Sequence, residues 1–221
     1  MSAALIGTRN VAGLNSGTSS SLDTTGASLL VIHVSFLSSI PPTVSDSKGN
    51  TWTGLTASDT VVSNADRLYY VLNPTVGAGH TFSFTGTGSA TQLVAAAFSG
   101  IASFDLEGSG NVGGTSASGS APGPLVPSVA NALVVTGFSW GNNSVPATID
   151  NDGAYVVTDS VDFLNGSNFG GAFAYKITST STTPNWVNGG IGRRCSVIAG
   201  FKPSTSKAKG YLFGPGWYYG G

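Results

Sequence analysis

The feature that most narrows what this chain can fold into is that it is written twice. Ala27 to Phe36 (ASLLVIHVSF) falls on Asn131 to Trp140 (NALVVTGFSW) at an offset of 104, with Leu29 over Leu133, Val31 over Val135, Ser35 over Ser139 and Phe36 over Trp140. Four more matches follow in the same order: Asn10-Val11-Ala12-Gly13 with Asn111-Val112-Gly113-Gly114, Asp46-x-x-Gly49 with Asp150-x-x-Gly153, Tyr70 with Tyr175, and Val94-x-Ala96-x-Phe98 with Val197-x-Ala199-x-Phe201. Matches in one order, at offsets between 101 and 105, point to an internal duplication. What repeats is apolar, aromatic and turn residues, so the duplicated object is a folding unit. No cluster of catalytic residues repeats with it.

Strand signals dominate the pattern. Runs of β-branched and aromatic residues bounded by Gly, Pro, Asn and Asp place strands near 29–37, 51–55, 66–73, 80–85, 91–98, 133–140, 154–158, 169–178 and 194–202. Weaker signals lie near 3–9, 42–46, 59–63, 102–107, 145–150 and 184–187, and no window sustains a capped helical period. The fold class expected is all-β, an antiparallel β-sandwich of jelly-roll or lectin-like type built from two pseudo-repeats, about 10–101 and 111–203. Leu29-Leu-Val-Ile32 and Leu93-Val-Ala-Ala-Ala97 are apolar on both faces, which calls for cover on both. His80-Thr-Phe-Ser-Phe-Thr85 alternates, with Phe82 and Phe84 on one face. Each copy is long enough for its own sandwich, yet the doubly apolar strands favour one shared core. Val44 to Thr53 reads as a hairpin in which Asp46 caps the turn, Gly49 and Asn50 take positive φ, and Trp52 enters the next strand; its counterpart is Thr148 to Val157. Residues 108–128, the lowest-complexity stretch, read as a flexible linker or as an edge strand of the second copy.

Composition narrows the function classes. Only 9% of residues are charged, against about 25% in ordinary soluble domains, so the surface is kept wet by hydroxyls and backbone as in proteins that live outside cells. A 40% hydrophobic content with a net charge of −1 excludes intrinsic disorder. The single Cys195 excludes an intrachain disulfide and reads as a core residue. The first residues lack the basic and apolar regions of a signal peptide, and no stretch reaches the roughly eighteen apolar residues of a membrane span. An extracellular composition without an export signal fits a virus particle released by lysis; a lost pro-segment or an ordinary cytosolic protein fits too. Up to Asp162, ten acids stand against Arg9, Lys48 and Arg67, whereas beyond it come six cations and no acid. This asymmetry points to head-to-tail contact between copies or to a basic arm on an acidic neighbour, and six charges over sixty residues form no nucleic-acid stripe.

Sites for chemistry are few. His33 and His80 have no Asp, Glu or Cys beside them in sequence and read as structural; no metal-ligand spacing exists. Asp150-Asn-Asp-Gly153 starts like a calcium loop, but Val161 stands where the bidentate Glu belongs. Glu107, the sole Glu, and the nearby Asp105 offer a glycosidase carboxylate pair only as an unaided guess. No catalytic residue, metal or cofactor is therefore expected. Trp52, Trp140, Tyr155 and Trp186 lie near turns or strand ends, where flat rings stack on sugars or fill a core. The C-terminal segment differs from everything before it. After a polar stretch from Ser204, Tyr211, Phe213, Trp217, Tyr218 and Tyr219 stand among glycines, matching nothing in the first copy. Such an arm either covers an edge of its own domain or docks on a neighbour.

Asp46-Ser-Lys-Gly-Asn-Thr-Trp-Thr53, then Tyr69-Tyr-Val-Leu-Asn-Pro-Thr-Val-Gly-Ala-Gly-His-Thr-Phe82, then Ala95-Ala-Ala-Phe-Ser-Gly-Ile101 and finally Ala199-Gly-Phe-Lys-Pro203 resemble a β-sandwich family of bacteriophage structural proteins and secreted bacterial modules. The resemblance spans about residues 20–203 and implies one pseudo-duplicated domain with no catalytic residue to carry over; Ala97 stands where the family often has an acid. The expected function is a non-enzymatic virion protein, a head-decoration or fibre subunit, oligomeric and docked on capsid or tail proteins through the arm at 204–221. A glycan-binding module for adsorption to the host surface is the alternative, and a polysaccharide hydrolase a weaker third.

Overall fold

The β-branched and aromatic runs become strands from end to end, and no helix forms among the described residues. The computed structural model describes residues 2–38, 40–60, 64–112, 117–141, 147–150, 154–163 and 169–205. The first half contributes β1 (Ala4–Thr18), β2 (Leu29–Phe36), β3 (Thr43–Asp46), β4 (Thr53–Gly54), β5 (Ser58–Thr60), β6 (Asn64–Leu72) and β7 (Phe82–Ser99). They form one antiparallel sheet ordered β1-β7-β2-β6-β4, with β3 added to β7 and β5 to β6. The second half contributes β8 (Ile101–Glu107), β9 (Asn111–Val112), β10 (Ala117–Ser120), β11 (Ala132–Trp140), β12 (Thr148–Asp150), β13 (Val156–Phe163), β14 (Phe169–Thr178), β15 (Asn185–Gly192) and β16 (Arg194–Pro203). Here the large sheet runs β8-β16-β11-β14-β13, with β9 on β16, and a small sheet runs β10-β15-β12.

The two halves follow parallel strand orders. β2 lies between β6 and β7 as β11 lies between β14 and β16. Even the isolated bridges correspond, Leu22 with His80 in one half and Leu125 with Thr182 in the other. The halves differ in how the outer layer is made. In the first, β7 is a single long strand that spans both expected segments and bends where the register with β1 shifts between Leu14 and Ser16; its start, Phe82 to Thr85, takes β3 as partner and curls back over the sheet. In the second, the equivalent ribbon is cut at Arg193 into β15 and β16, so the outer layer is a separate sheet.

This layering explains the strands that are apolar on both faces. Leu29 and Val31 point into a central core with Leu133, Val135, Phe173, Val197 and Phe201, drawn from both halves. Their neighbours Leu30, Ile32, Val34 and Phe36 point the other way, onto Phe82, Phe84 and Val44. On the far side of the second sheet, Phe138, Trp140, Ala172 and Ala174 pack against Trp186 of the small sheet. Every residue of β2 and β11 is consequently buried. The choice between a shared core and separate ones resolves into both: each half closes its own outer layer, and the halves close on each other. Phe82 and Phe84 are buried while Thr85 is exposed, in keeping with their alternation.

Two expectations change at the Asp46 turn. Thr43–Asp46 and Thr53–Gly54 do not pair with each other; β3 joins β7 and β4 joins β6, so the expected hairpin is a crossover between layers. Gly49 takes a positive φ of 74° there, but Asn50 does not, and acts through its side chain instead. Within the low-complexity stretch the edge-strand reading holds over the linker, since Asn111–Val112 pairs with β16 and Ala117–Ser120 forms the edge of the small sheet. Gly119 is required by its close approach, because a Cβ would stand 2.2 Å from the Trp186 carbonyl oxygen.

Candidate functional site

Where the two halves meet, the inward residues of β2 read Leu29, Val31, His33, Ser35, and the core changes along the strand from apolar to polar. On β11 the same face reads Leu133, Val135, Gly137, Ser139. His33 is buried with Nε2 3.3 Å from Asp66 Oδ2, and its ring fills the space a side chain at Gly137 would need: a Cβ there would be 2.1 Å from His33 Cδ2. Around the pair, Ser139 Oγ donates to Asn64 Oδ1 (3.3 Å), the Cys195 thiol to the Asn64 carbonyl (3.1 Å), and Gln92 Nε2 to the Phe169 carbonyl (2.9 Å). Loss of water pushes the His33 imidazole down to about 3 and the Asp66 carboxyl up, so both groups favour their neutral forms. Serine, histidine and aspartate thus share a cluster, but His33 and Asp66 are 1% and 0% exposed, and no solvent reaches them. The arrangement serves to set how the halves register, since buried polar groups tolerate few alternative pairings.

His80 is the second buried histidine. It stacks on Phe82 (centroids 4.5 Å apart), meets Thr24 Oγ1 at 2.9 Å through Nδ1, and brings Nε2 to 3.1 Å from Asp46 Oδ1. Sequence inspection missed both acid partners because neither adjoins its histidine in the chain. Asp66 is placed by the pairing of β2 with β6, which sets it opposite Ser35, one pleat from His33.

Asp46 is the hub of the crossover segment. Its Oδ1 accepts from the Lys48 amide (2.8 Å) and from Asn50 Nδ2 (3.2 Å), and its Oδ2 accepts from Trp52 Nε1 (2.8 Å). The indole is thereby held in one orientation, edge-on to Phe82 at 6.3 Å and 76°. Trp52 forms one wall of a cleft of about 360 Å³ whose other walls are Pro41 to Val44, Asn50, Arg67 and Tyr69. Arg67 Nε donates to the Leu55 carbonyl (2.5 Å), its guanidinium lies 5.1 Å over the Tyr69 ring, and Tyr69 Oη donates to the Pro42 carbonyl (3.1 Å). Asn50 and Trp52 belong to the turn motif read from sequence. Arg67 and Tyr69 carried no such signal, because only strand pairing brings them beside it.

The other rings proposed for sugar stacking fare differently. Trp140 and Trp186 are wholly buried, stacked on opposite sides of Phe138 at 5.6 and 5.5 Å, and Trp186 Nε1 donates to Thr136 Oγ1 inside the core (2.9 Å). Neither presents a face to solvent, which corrects the expectation for both. Tyr155 is half-buried, its hydroxyl 3.1 Å from Thr182 Oγ1 and the Lys176 ammonium 5.3 Å over its ring. The arm residues Tyr211, Phe213, Trp217, Tyr218 and Tyr219 lie outside the described residues, as do 151–153 of the calcium-like loop.

Asp105 and Glu107 point apart. Asp105 accepts from the Ser128 amide (2.8 Å) and meets Lys202 at 3.4 Å, whereas Glu107 accepts from the Thr56 amide and hydroxyl (3.0 and 2.7 Å), tying β8 to the first half. No three His, Cys, Asp or Glu side chains converge among the described residues. Comparison of the chain with known protein families, curated proteins and solved structures finds no match.

Proposed function

We propose that this chain is a non-enzymatic structural protein on the surface of a bacteriophage virion, a head-decoration or fibre subunit. In this reading it is built from two fused copies of one β unit and held to capsid or tail proteins, and to further copies of itself, by its C-terminal arm. The observation that carries the proposal is how the described polar side chains are used. Both histidines are closed in against aspartates, Asp105 and Glu107 each bind separate backbone amides, and Asp46 is spent on its own crossover. Such a molecule offers surface and rigidity more than chemistry. The parallel strand orders of the halves support the two-copy origin, and the charge-poor composition supports life outside a cell.

The chain is held at Ser204, whose amide donates to the Gly100 carbonyl (2.8 Å). From there the aromatic arm has the large, low-entropy area that anchors interfaces. Deleting residues after Thr205 is expected to leave a folded protein that fails to join particles in a complementation assay. Normal incorporation of the truncated chain overturns the docking role.

One observation favours a second reading, adsorption to a host-surface glycan: Trp52 is held rigid on the wall of an open cleft. Retention of the intact protein on immobilised host polysaccharide tests it.

A further inference from the structure

We propose that the cleft between Pro41–Val44 and β6 takes an acidic sugar, of the uronic or sialic acid class, with Trp52 against the pyranose ring and Arg67 on the carboxylate. The inference rests on the second reading above and assigns its ligand.

Three features of the cleft point this way. Its aromatic wall is preorganised, because Trp52 is bonded to Asp46 and braced by Phe82, so stacking a sugar costs no side-chain ordering. Its cation is preorganised as well: Arg67 is fixed by the Leu55 carbonyl, lies over Tyr69, and packs on Gly54, where a Cβ would stand 2.7 Å from Nη2. Arg67 Nε is taken by the Leu55 carbonyl and the guanidinium also bonds the Tyr69 side chain, but among the described ion pairs no acid faces it, so in a chain with few charges its positive charge suits a carboxylate. The volume, about 360 Å³, falls in the range of small-ligand sites.

The cleft is not a by-product of the sheet architecture, because the other half fills the same position. Val34 pairs with Arg67 and Ile32 with Tyr69; at the offset of 104, Phe138 pairs with Ala172 and Thr136 with Ala174. There the two alanines lie under Trp140 and Trp186 in a closed core. One half has made this face a core, while the other keeps a cation and a tyrosine beside an open groove.

The test uses the full-length protein on polygalacturonate, polysialic acid, neutral dextran and phosphomannan, read by affinity electrophoresis and titration calorimetry. The expected result is retention by the two carboxylated polymers. Arg67→Gln should weaken that retention by about tenfold, and Trp52→Leu more, while Trp52→Phe keeps part of it and Arg67→Gln melts cooperatively above the assay temperature. Equal retention on dextran, unmoved by Arg67→Gln, overturns the acidic ligand and leaves a glycan site. Retention on phosphomannan as strong as on the carboxylated polymers, indifferent to Trp52, shows bulk charge attraction and overturns the inference. No retention on any polymer ends both the inference and the reading beneath it.

Discussion

Tyr70 meets Phe201 edge-on across the junction of the two halves, with ring centroids 5.5 Å apart at 72°, and at the corresponding positions Tyr175 meets Phe98 at 5.4 Å and 71°. Contacts so nearly alike, made in both directions, give the junction the pseudo-symmetric geometry that an isologous interface has. The polar end of the junction behaves likewise: Cys195 donates to the Asn64 carbonyl, and Gln92, at the matching position, donates to the Phe169 carbonyl. Tyr70 also stacks on Phe104, 5.2 Å away, so the central core is continuous with β8.

Because the central core belongs to both halves, they are expected to unfold together. Phe201→Ala and Phe98→Ala should each cost about 3–5 kcal/mol, by the lost burial and the cavity left behind. Urea denaturation of both variants should give a single transition with similar loss. Two separated transitions, or a large effect at only one of the two positions, would show that the halves are energetically independent.

The His33 ring and Gly137 compete for one space. Gly137→Ala places a methyl group 2.1 Å from His33 Cδ2 and is expected to destabilise by about 3 kcal/mol. Combining it with His33→Ala should recover much of that loss, so the two changes are far from additive. A double-mutant cycle on denaturation midpoints measures this, and an additive result refutes the contact.

Acid sensitivity follows from the same pair. Folded His33 takes up a proton only near pH 3, whereas the imidazole of the unfolded chain does so near 6.5. Between those values unfolding binds a proton, so stability falls as pH is lowered, by up to about 1.4 kcal/mol per pH unit. Asp66 acts in the opposite sense: its carboxyl keeps its proton in the folded chain above the ordinary 3.8, so raising the pH favours unfolding. His33→Gln should flatten the acid limb, and Asp66→Asn should gain stability relative to the parent as pH rises. Denaturation midpoints from about pH 4 to about pH 8 decide it, and curves parallel to the parent's contradict the assignment.

Asp46 organises its crossover through bonds to Lys48, Asn50 and Trp52 and through its approach to His80. Removing the carboxylate leaves several donors without a partner, so Asp46→Ala is expected to cost about 2–4 kcal/mol and Asp46→Asn less. Thermal melts give the first number, and a change in tryptophan emission reports release of Trp52.

Cys195 is buried, and its thiol faces the Asn64 carbonyl. It should react with a bulky thiol reagent only as fast as the chain unfolds. Rapid labelling of the native protein would place the sulfur nearer solvent than it stands.

Much of the fold was legible because strand pattern is local. The doubly apolar runs at Leu29–Ile32 and Leu93–Ala97 announced central strands, and the alternation at Phe82 and Phe84 announced a single buried face. The crossover at Asp46 was misread as a hairpin since turn residues alone do not say whether the flanking strands pair with each other or with β6 and β7. The rings show the same limit. Trp140 and Trp52 each sit near a turn in sequence, yet one ends under Trp186 and Phe138 and the other on an open cleft.

The amino-acid sequence by itself therefore determined the strand-rich secondary structure and the demand of β2 and of Leu93–Ala97 in β7 for cover on two faces, because side-chain period and turn chemistry act within a few residues. Tertiary structure alone decided what supplied that cover, which acids met His33 and His80, and that Arg67 and Tyr69 would stand beside Trp52. Those contacts join residues far apart in the chain. They depend on strand register and on the packing of one sheet against another, which no local pattern specifies.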